Sequence, residues 1–246
     1  MEYDGSAFTG WARQPGRVRT VQAEVERALG VLLRRGSSPV DVSVAGRTDA
    51  GVHALGQVAS YSGSPAPVEG LNALLPDDVA VLACEPAVDG FDARRDATSR
   101  AYTYLILCRR ARTALQRGRA LHWPHALDRG ALEACAAALV GTHDFTAFTP
   151  TETEHVRFSR DVYAASWRFS GDGERAEFWI EADAFMRHMN RALVGTMLEV
   201  AAGRRSVDSF ASLLAGQPRG AAGPTAPAHG LYFVGAGYGG ERVLGV

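Results

Sequence analysis

Arg160-Asp161-Val162-Tyr163-Ala164-Ala165-Ser166-Trp167-Arg168-Phe169-Ser170-Gly171-Asp172-Gly173-Glu174-Arg175-Ala176-Glu177-Phe178-Trp179-Ile180-Glu181-Ala182 is the stretch that decides the fold class. Gly171-Asp172-Gly173 is turn chemistry between two strand-like runs, 160–170 and 174–184, and predicts a β-hairpin. The second run alternates Ala176, Phe178, Ile180 and Ala182 against Arg175, Glu177, Trp179 and Glu181, the period of two expected of a strand with one buried face.

Working outward, a helix is expected near 186–202, ending before Gly203 with an apolar stripe of Met189, Leu193, Met197 and Val200. A short helix over about 206–215, a loop at 220–227 punctuated by glycine and proline, and a last strand at 231–236 follow. Upstream, Arg100 to Leu107 reads as a strand with Arg100, Tyr102, Tyr104 and Ile106 on one face. Between it and the hairpin lies a helix near 127–140, with Asp128 at its start and Gly141 past its end. In the first hundred residues, Thr20 caps a helix whose stripe is Val21, Val25, Ala28, Leu29, Leu32 and Leu33. Strands follow near 40–45 and 55–61, then a short helix between Pro67 and Pro76 and a strand at 79–84. Strands and helices thus alternate irregularly, with hairpins, which predicts α+β with mainly antiparallel sheets. Two groupings emerge, 1–95 and 96–246. Met1-Glu2-Tyr3-Asp4-Gly5 leaves little room for a first strand of typical length, about 5–6 residues, so the chain reads as short at its N-terminus.

The 246 residues are 46% hydrophobic and 22% charged, ordinary globular composition. No apolar run approaches the roughly 18 residues of a membrane span, and the expectation is a soluble, cytoplasmic chain with no membrane partner. Cys84, Cys108 and Cys135 are isolated among apolar neighbours and read as buried thiols rather than a disulfide framework. His122 and His125 without further ligands make a poor metal site, and no G-x-G-x-x-G or P-loop offers a nucleotide cofactor a foothold. The formal net charge is −1, yet all 26 basic residues are arginine. They cluster at Arg13, Arg17 and Arg19; Arg34 and Arg35; Arg94, Arg95 and Arg100; Arg109, Arg110 and Arg112; Arg117 and Arg119; and Arg204 and Arg205. Acids gather at Asp77 and Asp78 and from Glu174 to Asp183. A surface split by sign, with guanidinium forks for phosphates, fits that pattern.

The chemistry centres on Ala45-Gly46-Arg47-Thr48-Asp49-Ala50-Gly51-Val52-His53-Ala54, which follows the alternating Val40-Asp41-Val42-Ser43-Val44. Glycines on each side let the chain turn, so the Asp49 carboxylate is expected at the end of a strand. Further strings recur in order: Tyr3-Asp4-Gly5-Ser6; Gly10-Trp11 with Arg13-Gln14; Thr20-Val21-Gln22; Phe91-Asp92-Ala93-Arg94; Arg100 with Tyr102 and Tyr104; Gly141 to Thr146; Phe185-Met186-Arg187-His188-Met189-Asn190-Arg191; and Ala226-Pro227-Ala228-His229-Gly230-Leu231. Together, over roughly residues 2–238, they resemble the tRNA pseudouridine synthase A family. Two departures stand out: Asn190 replaces the family's usual valine, and Arg187 stands where an aromatic residue or histidine is common.

The resemblance implies two ferredoxin-like (RRM-like) halves in one extended sheet with a central active-site cleft, and a homodimer that binds tRNA. It implies isomerisation of uridine to pseudouridine at positions 38, 39 and 40 of the anticodon stem-loop, a redox-neutral change that needs no cofactor and no metal. Asp49 then works at the ribose, either attacking C1′ or removing the 2′ proton. Because burial raises an acid's pKa and a cation lowers it, Asp49 needs a positive neighbour, and Arg191 takes that place by resemblance. Arg187, four residues earlier, is expected beside Arg191 on the same helix. Tyr102 is the base-side residue, stacking on uracil and assisting loss of the C5 proton. Arg47 fills the space of the flipped uridine. Arg187, Arg94 and Leu231 complete the substrate contacts, and His53 is assigned a structural role. Two other readings stand beside this one. A non-catalytic RNA-binding module of the same fold is disfavoured by the intact Asp49, Tyr102 and Arg191 set, and a glycoside-cleaving enzyme lacks a second acid in comparable context.

Overall fold

The computed structural model describes residues 1–16, 18–34, 36, 40–153 and 156–245; Arg17 and Arg35 of the arginine clusters lie outside them. Strand β1 (Glu2–Tyr3) is two residues long and leads to helix α1 (Val21–Leu32), whose N-cap Thr20 accepts a hydrogen bond from the Ala23 N–H at 3.4 Å. Its buried stripe is Val21, Val25, Ala28 and Leu29, as expected, with Leu32 and Leu33 at the margin. Strand β2 (Val42–Val44) follows. In place of the strand expected at 55–61 there are two short strands, β3 (His53–Ala54), which precedes that span, and β4 (Ala59–Tyr61), which occupies its end. The first pairs with β1 and the second with β2, so a bend at 55–58 transfers the chain from one sheet to another. Helix α2 (Val68–Leu74) and strand β5 (Val79–Ala80) close this half. The strand stops short of the expected 79–84 because the Asn72 amide captures the Val81 backbone, accepting from its N–H at 2.8 Å and donating to its carbonyl at 2.9 Å.

The second half opens with β6 (Ala97–Leu107) and a short β7 (Leu121–His122). Helix α3 (Arg129–Leu139) is capped by the Asp128 side chain, which accepts from the Ala131 N–H at 3.0 Å. Strand β8 (Gly141–Asp144) then runs into β9 (Ser159–Phe169) and β10 (Arg175–Ala182), the predicted hairpin, with Phe178 opposite Trp167 and Gly173 turning the chain at φ +74°. Helix α4 (Met189–Ala201), α5 (Val207–Ser212) and β11 (Leu231–Tyr238) complete the chain.

The main sheet runs β5-β1-β3-β11-β6-β10-β9-β8, with β7 on β6. In the second half, β6-α3-β9-β10-α4-β11 is a β-α-β-β-α-β unit with spatial order β11-β6-β10-β9, the ferredoxin-like arrangement. The first half repeats it as β5-β1-β3, with β2 held by β4 at the bend. The halves fuse where β3 runs parallel to β11, Phe233 opposite Ala54; other pairings among the main strands are antiparallel, save β6 with β7. The buried apolar residues of both halves form one continuous cluster.

Helix α4 departs from expectation. It begins at Met189, three residues late, and eleven of its thirteen residues are buried, so it is an internal helix rather than a striped one. Cys135 is fully buried, whereas Cys84 and Cys108 are only half-buried. No described helix is long and apolar enough to cross a membrane.

Candidate active site

The segment after β2 is pinned at successive residues. The Ala45 N–H donates to the Val58 carbonyl at 2.9 Å, the Thr48 carbonyl accepts from the Trp11 N–H at 3.0 Å, and the Asp49 carbonyl accepts from the Val52 N–H at 3.1 Å. The buried Thr48 hydroxyl meets that of Tyr3 at 2.8 Å. Gly46 is required by close approach: a Cβ there would lie 2.6 Å from the Phe233 ring and 3.2 Å from the Tyr102 hydroxyl. The glycine thus lets the turn that carries Asp49 sit directly against Tyr102.

Two side chains converge on one oxygen of Asp49. Arg191 Nη1 and His188 Nε2 each lie 3.6 Å from Oδ2. Arg191 is aimed by the loop before β11: its Nε donates to the Ala226 carbonyl at 2.8 Å, while the Ala226 N–H donates to the Arg191 carbonyl at 3.0 Å. That loop approaches α4 closely because residue 195 is glycine; a Cβ there would overlap the Pro224 carbonyl. Arg187, expected beside Arg191 on the helix, is not on it. His188 has φ 61° and precedes the first helical residue, so the four-residue spacing does not set the relation between the two arginines. Both nevertheless line the same cleft. His188 was missed by sequence reasoning; its histidine in a string otherwise read for arginines was the one available signal. Burial lowers the pKa of its ring, and Arg191, Arg187 and Arg219 lower it further against the opposing pull of Asp49.

Tyr102 is buried, with its ring edge-on to Phe185 and Phe233 at centroid distances of 5.0 and 5.1 Å. Burial pushes its phenol well above the ordinary range, and the nearby Tyr3 and Asp49 add to that, so the hydroxyl keeps its proton at neutral pH. Arg100 acts as a staple. Its guanidinium donates to the carbonyls of Ala45 (3.0 Å), Ala97 (2.9 Å), Asp183 (3.0 Å) and Arg94 (2.6 Å). Tyr104 donates to the Pro227 carbonyl at 2.8 Å.

The cleft between the halves has a volume of about 1670 Å³ and is lined by Asp49, Tyr102, Arg191, Arg47, Arg94, Arg187 and Leu231 among others. It brings together all seven residues singled out from the sequence. Arg47, Arg94 and Arg187 are exposed and make no ion pair among the described residues. Elsewhere arginines are spent within the fold, as in Arg19–Asp78 at 2.7 Å and Arg13–Glu26 at 3.1 Å. Asp92 and Glu152 also line the cleft. The Asp92 carboxylate is occupied by the Ser43 hydroxyl and by the N–H groups of Arg94 and Arg95, all within 2.9 Å. His53 lies outside the cleft lining, buried, accepting from the Gly5 N–H at Nδ1 (3.0 Å) and stacked on Tyr232. No group of three or more metal-ligating side chains occurs among the described residues.

A family described as tRNA pseudouridine synthase matches residues 135–239. A tRNA pseudouridine synthase A from Bacillus pumilus is 39% identical over 238 residues, 95% of each chain. Its counterpart from Bacillus subtilis is 40% identical over 239 residues, again 95% of each chain. One from Methylococcus capsulatus is 43% identical over 244 residues, covering 97% of this chain and 88% of that one.

Proposed function

This chain belongs to the tRNA pseudouridine synthase A family, and we propose that it acts at uridines 38, 39 and 40 of the tRNA anticodon stem-loop, using the cleft around Asp49. It is an isomerase of tRNA uridine. The N1–C1′ bond breaks, the uracil turns, C5 joins C1′, and the C5 proton leaves while N1 gains one. Nothing is oxidised or reduced, so the balance calls for no cofactor. The observation that carries the reading is the meeting of Asp49, its Arg191 partner and Tyr102 in one cleft. At about 1670 Å³, that cleft exceeds the roughly 300–1,000 Å³ of small-molecule sites, as a nucleotide with its flanking chain requires.

Asp49 supplies the carboxylate that attacks C1′ or removes the 2′ proton, and Arg191 is its cationic partner across 3.6 Å. Tyr102 stacks on the flipped base and, as a neutral phenol, takes part in the C5 proton transfer. Arg47 enters the space the uridine leaves, Arg94 and Arg187 meet phosphates, and Leu231 packs against the base. Residues 1–95 form the half that carries Asp49, and residues 96–246 the half that carries Tyr102 and Arg191. The working unit is a cytoplasmic homodimer, in line with the family resemblance. Carbodiimide mapping of unmodified tRNA treated with the purified protein tests this reading. Pseudouridine at 38, 39 and 40 alone is expected; modification confined to other positions removes the anticodon assignment, and none at all removes the activity.

A further inference from the structure

Among the described residues only Arg34 and His188 combine a side chain with a positive φ, 51° and 61°. Arg34 follows the end of α1, an ordinary place for such a conformation. His188 immediately precedes α4 inside the cleft, where a bulky residue in the left-handed region is uncommon. That conformation brings its ring toward Asp49, Nε2 lying 3.6 Å from Oδ2. Arg191 Nη1 reaches the same oxygen at the same distance, so both groups make their recorded approach to Asp49 at Oδ2. A carboxylate met at one oxygen by two side chains has its rotation about the Cβ–Cγ bond restricted, and the other oxygen is the freer for chemistry.

We propose that His188 is a positioning residue for the isomerisation, donating from Nε2–H to Oδ2 of Asp49 so that Oδ1 faces the substrate. The inference rests on the functional reading above. The tautomer follows from electrostatics: a bare Nε2 lone pair facing a carboxylate repels it, whereas Nε2–H attracts it. The 3.6 Å separation shortens when a nucleotide closes the cleft, as catalytic hydrogen bonds often tighten only with substrate bound. The charged groups facing the ring are Asp49 from the turn after β2, Arg187 and Arg191 from its own segment, and Arg219 from the 219–221 turn. Burial and the three arginines hold the ring neutral near pH 7. Protonation at lower pH adds a second full cation to Oδ2 and makes the carboxylate a poorer nucleophile or base.

Two substitutions separate this role from a backbone role. Asn tolerates the left-handed conformation, but its short amide falls short of the Nε2 position. Gln is less at ease there, yet its amide nitrogen reaches about as far as Nε2. Single-turnover rates on unmodified anticodon stem-loop RNA, with Kd measured alongside, compare wild type, H188N and H188Q. The expected order is wild type, then H188Q within about threefold, then H188N down by about 10–100-fold, the range carried by orienting hydrogen-bond partners elsewhere, with Kd little changed. Between pH 7 and pH 5 the H188Q rate should fall less than that of wild type. H188N as fast as H188Q or faster, or identical pH profiles for wild type and H188Q, overturns the proposal. Wild type that forms no pseudouridine would instead overturn the functional reading, so the two failures are distinguishable.

Discussion

The phenol of Tyr102 is held by shape rather than charge. Phe185 and Phe233 fix its ring edge-on, and burial keeps the hydroxyl protonated. Stacking and proton transfer are therefore separable at this side chain. Tyr102→Phe is expected to keep its ring contacts, its melting temperature and its tRNA affinity within about threefold. It should lose about 10²–10⁴ in single-turnover rate, the usual weight of a proton-transfer group; an unchanged rate would leave Tyr102 as a stacking platform alone. At this scale the sequence was informative where a residue sits in a recognisable string, and Asp49, Tyr102 and Arg191 do converge in the cleft. His188 escaped because its importance comes from a backbone angle and from α4 folding back onto the turn after β2. Neither leaves a periodic trace.

At the scale of elements, Arg100 joins four segments that carry the site: the turn after β2, the start of β6, the 92–96 turn and the segment after β10. Replacing it by methionine preserves much of the volume but leaves those carbonyls without their donor. Arg100→Met should cost about 2–4 kcal/mol in urea unfolding and slow catalysis without touching the substrate; full stability in that variant would show that the staple is dispensable. Elements with a cap or a repeating pattern were legible: α1 from Thr20, α3 from Asp128, and the β9–β10 hairpin from Gly171-Asp172-Gly173. Others were not. Strand β8, Gly141-Thr142-His143-Asp144, has no apolar alternation and is defined by pairing with β9. The 55–61 run is broken because Leu55 and Gln57 bond outside the β2–β4 pair, their N–H groups donating to the carbonyls of Phe233 and Met1. The late start of α4 follows from the left-handed His188.

Across the whole molecule, the two halves are joined by a polar seam as well as by the β3–β11 pairing. Arg119 reaches Asp4 at 2.8 Å, and the Ser6 hydroxyl and the His53 ring meet the Gly118 carbonyl at 3.2 and 3.0 Å; within the second half the Tyr232 hydroxyl donates to the Arg119 carbonyl. Burial alone would raise the Asp4 pKa, but Ser6, Arg119 and the His53 ring together hold it at about 2. A carboxyl so depressed stabilises the fold above its unfolded pKa of about 3.9, and that contribution is lost as pH falls through the folded value. Asp4→Asn should therefore lower Tm at pH 7, with the gap to wild type narrowing as pH is taken from 4 toward 3; a gap independent of pH would assign the effect to packing. A chain of net charge −1 can still hold a polyanion through Arg47, Arg94 and Arg187, whereas Arg95 is folded onto Asp96 at 2.8 Å. Changing those three to alanine should flatten the plot of log affinity against log salt by about 2 to 3, since each neutralised phosphate contributes roughly 0.7–0.9; an unchanged slope would move the RNA path elsewhere. The central claim is that the Asp49 carboxylate drives the isomerisation. Because the C5 proton must leave, tritium release from tRNA labelled at C5 of uridine reads it directly. Wild type should release tritium and Asp49→Asn none above background, with tRNA affinity retained. Release by Asp49→Asn near the wild-type rate would contradict the account.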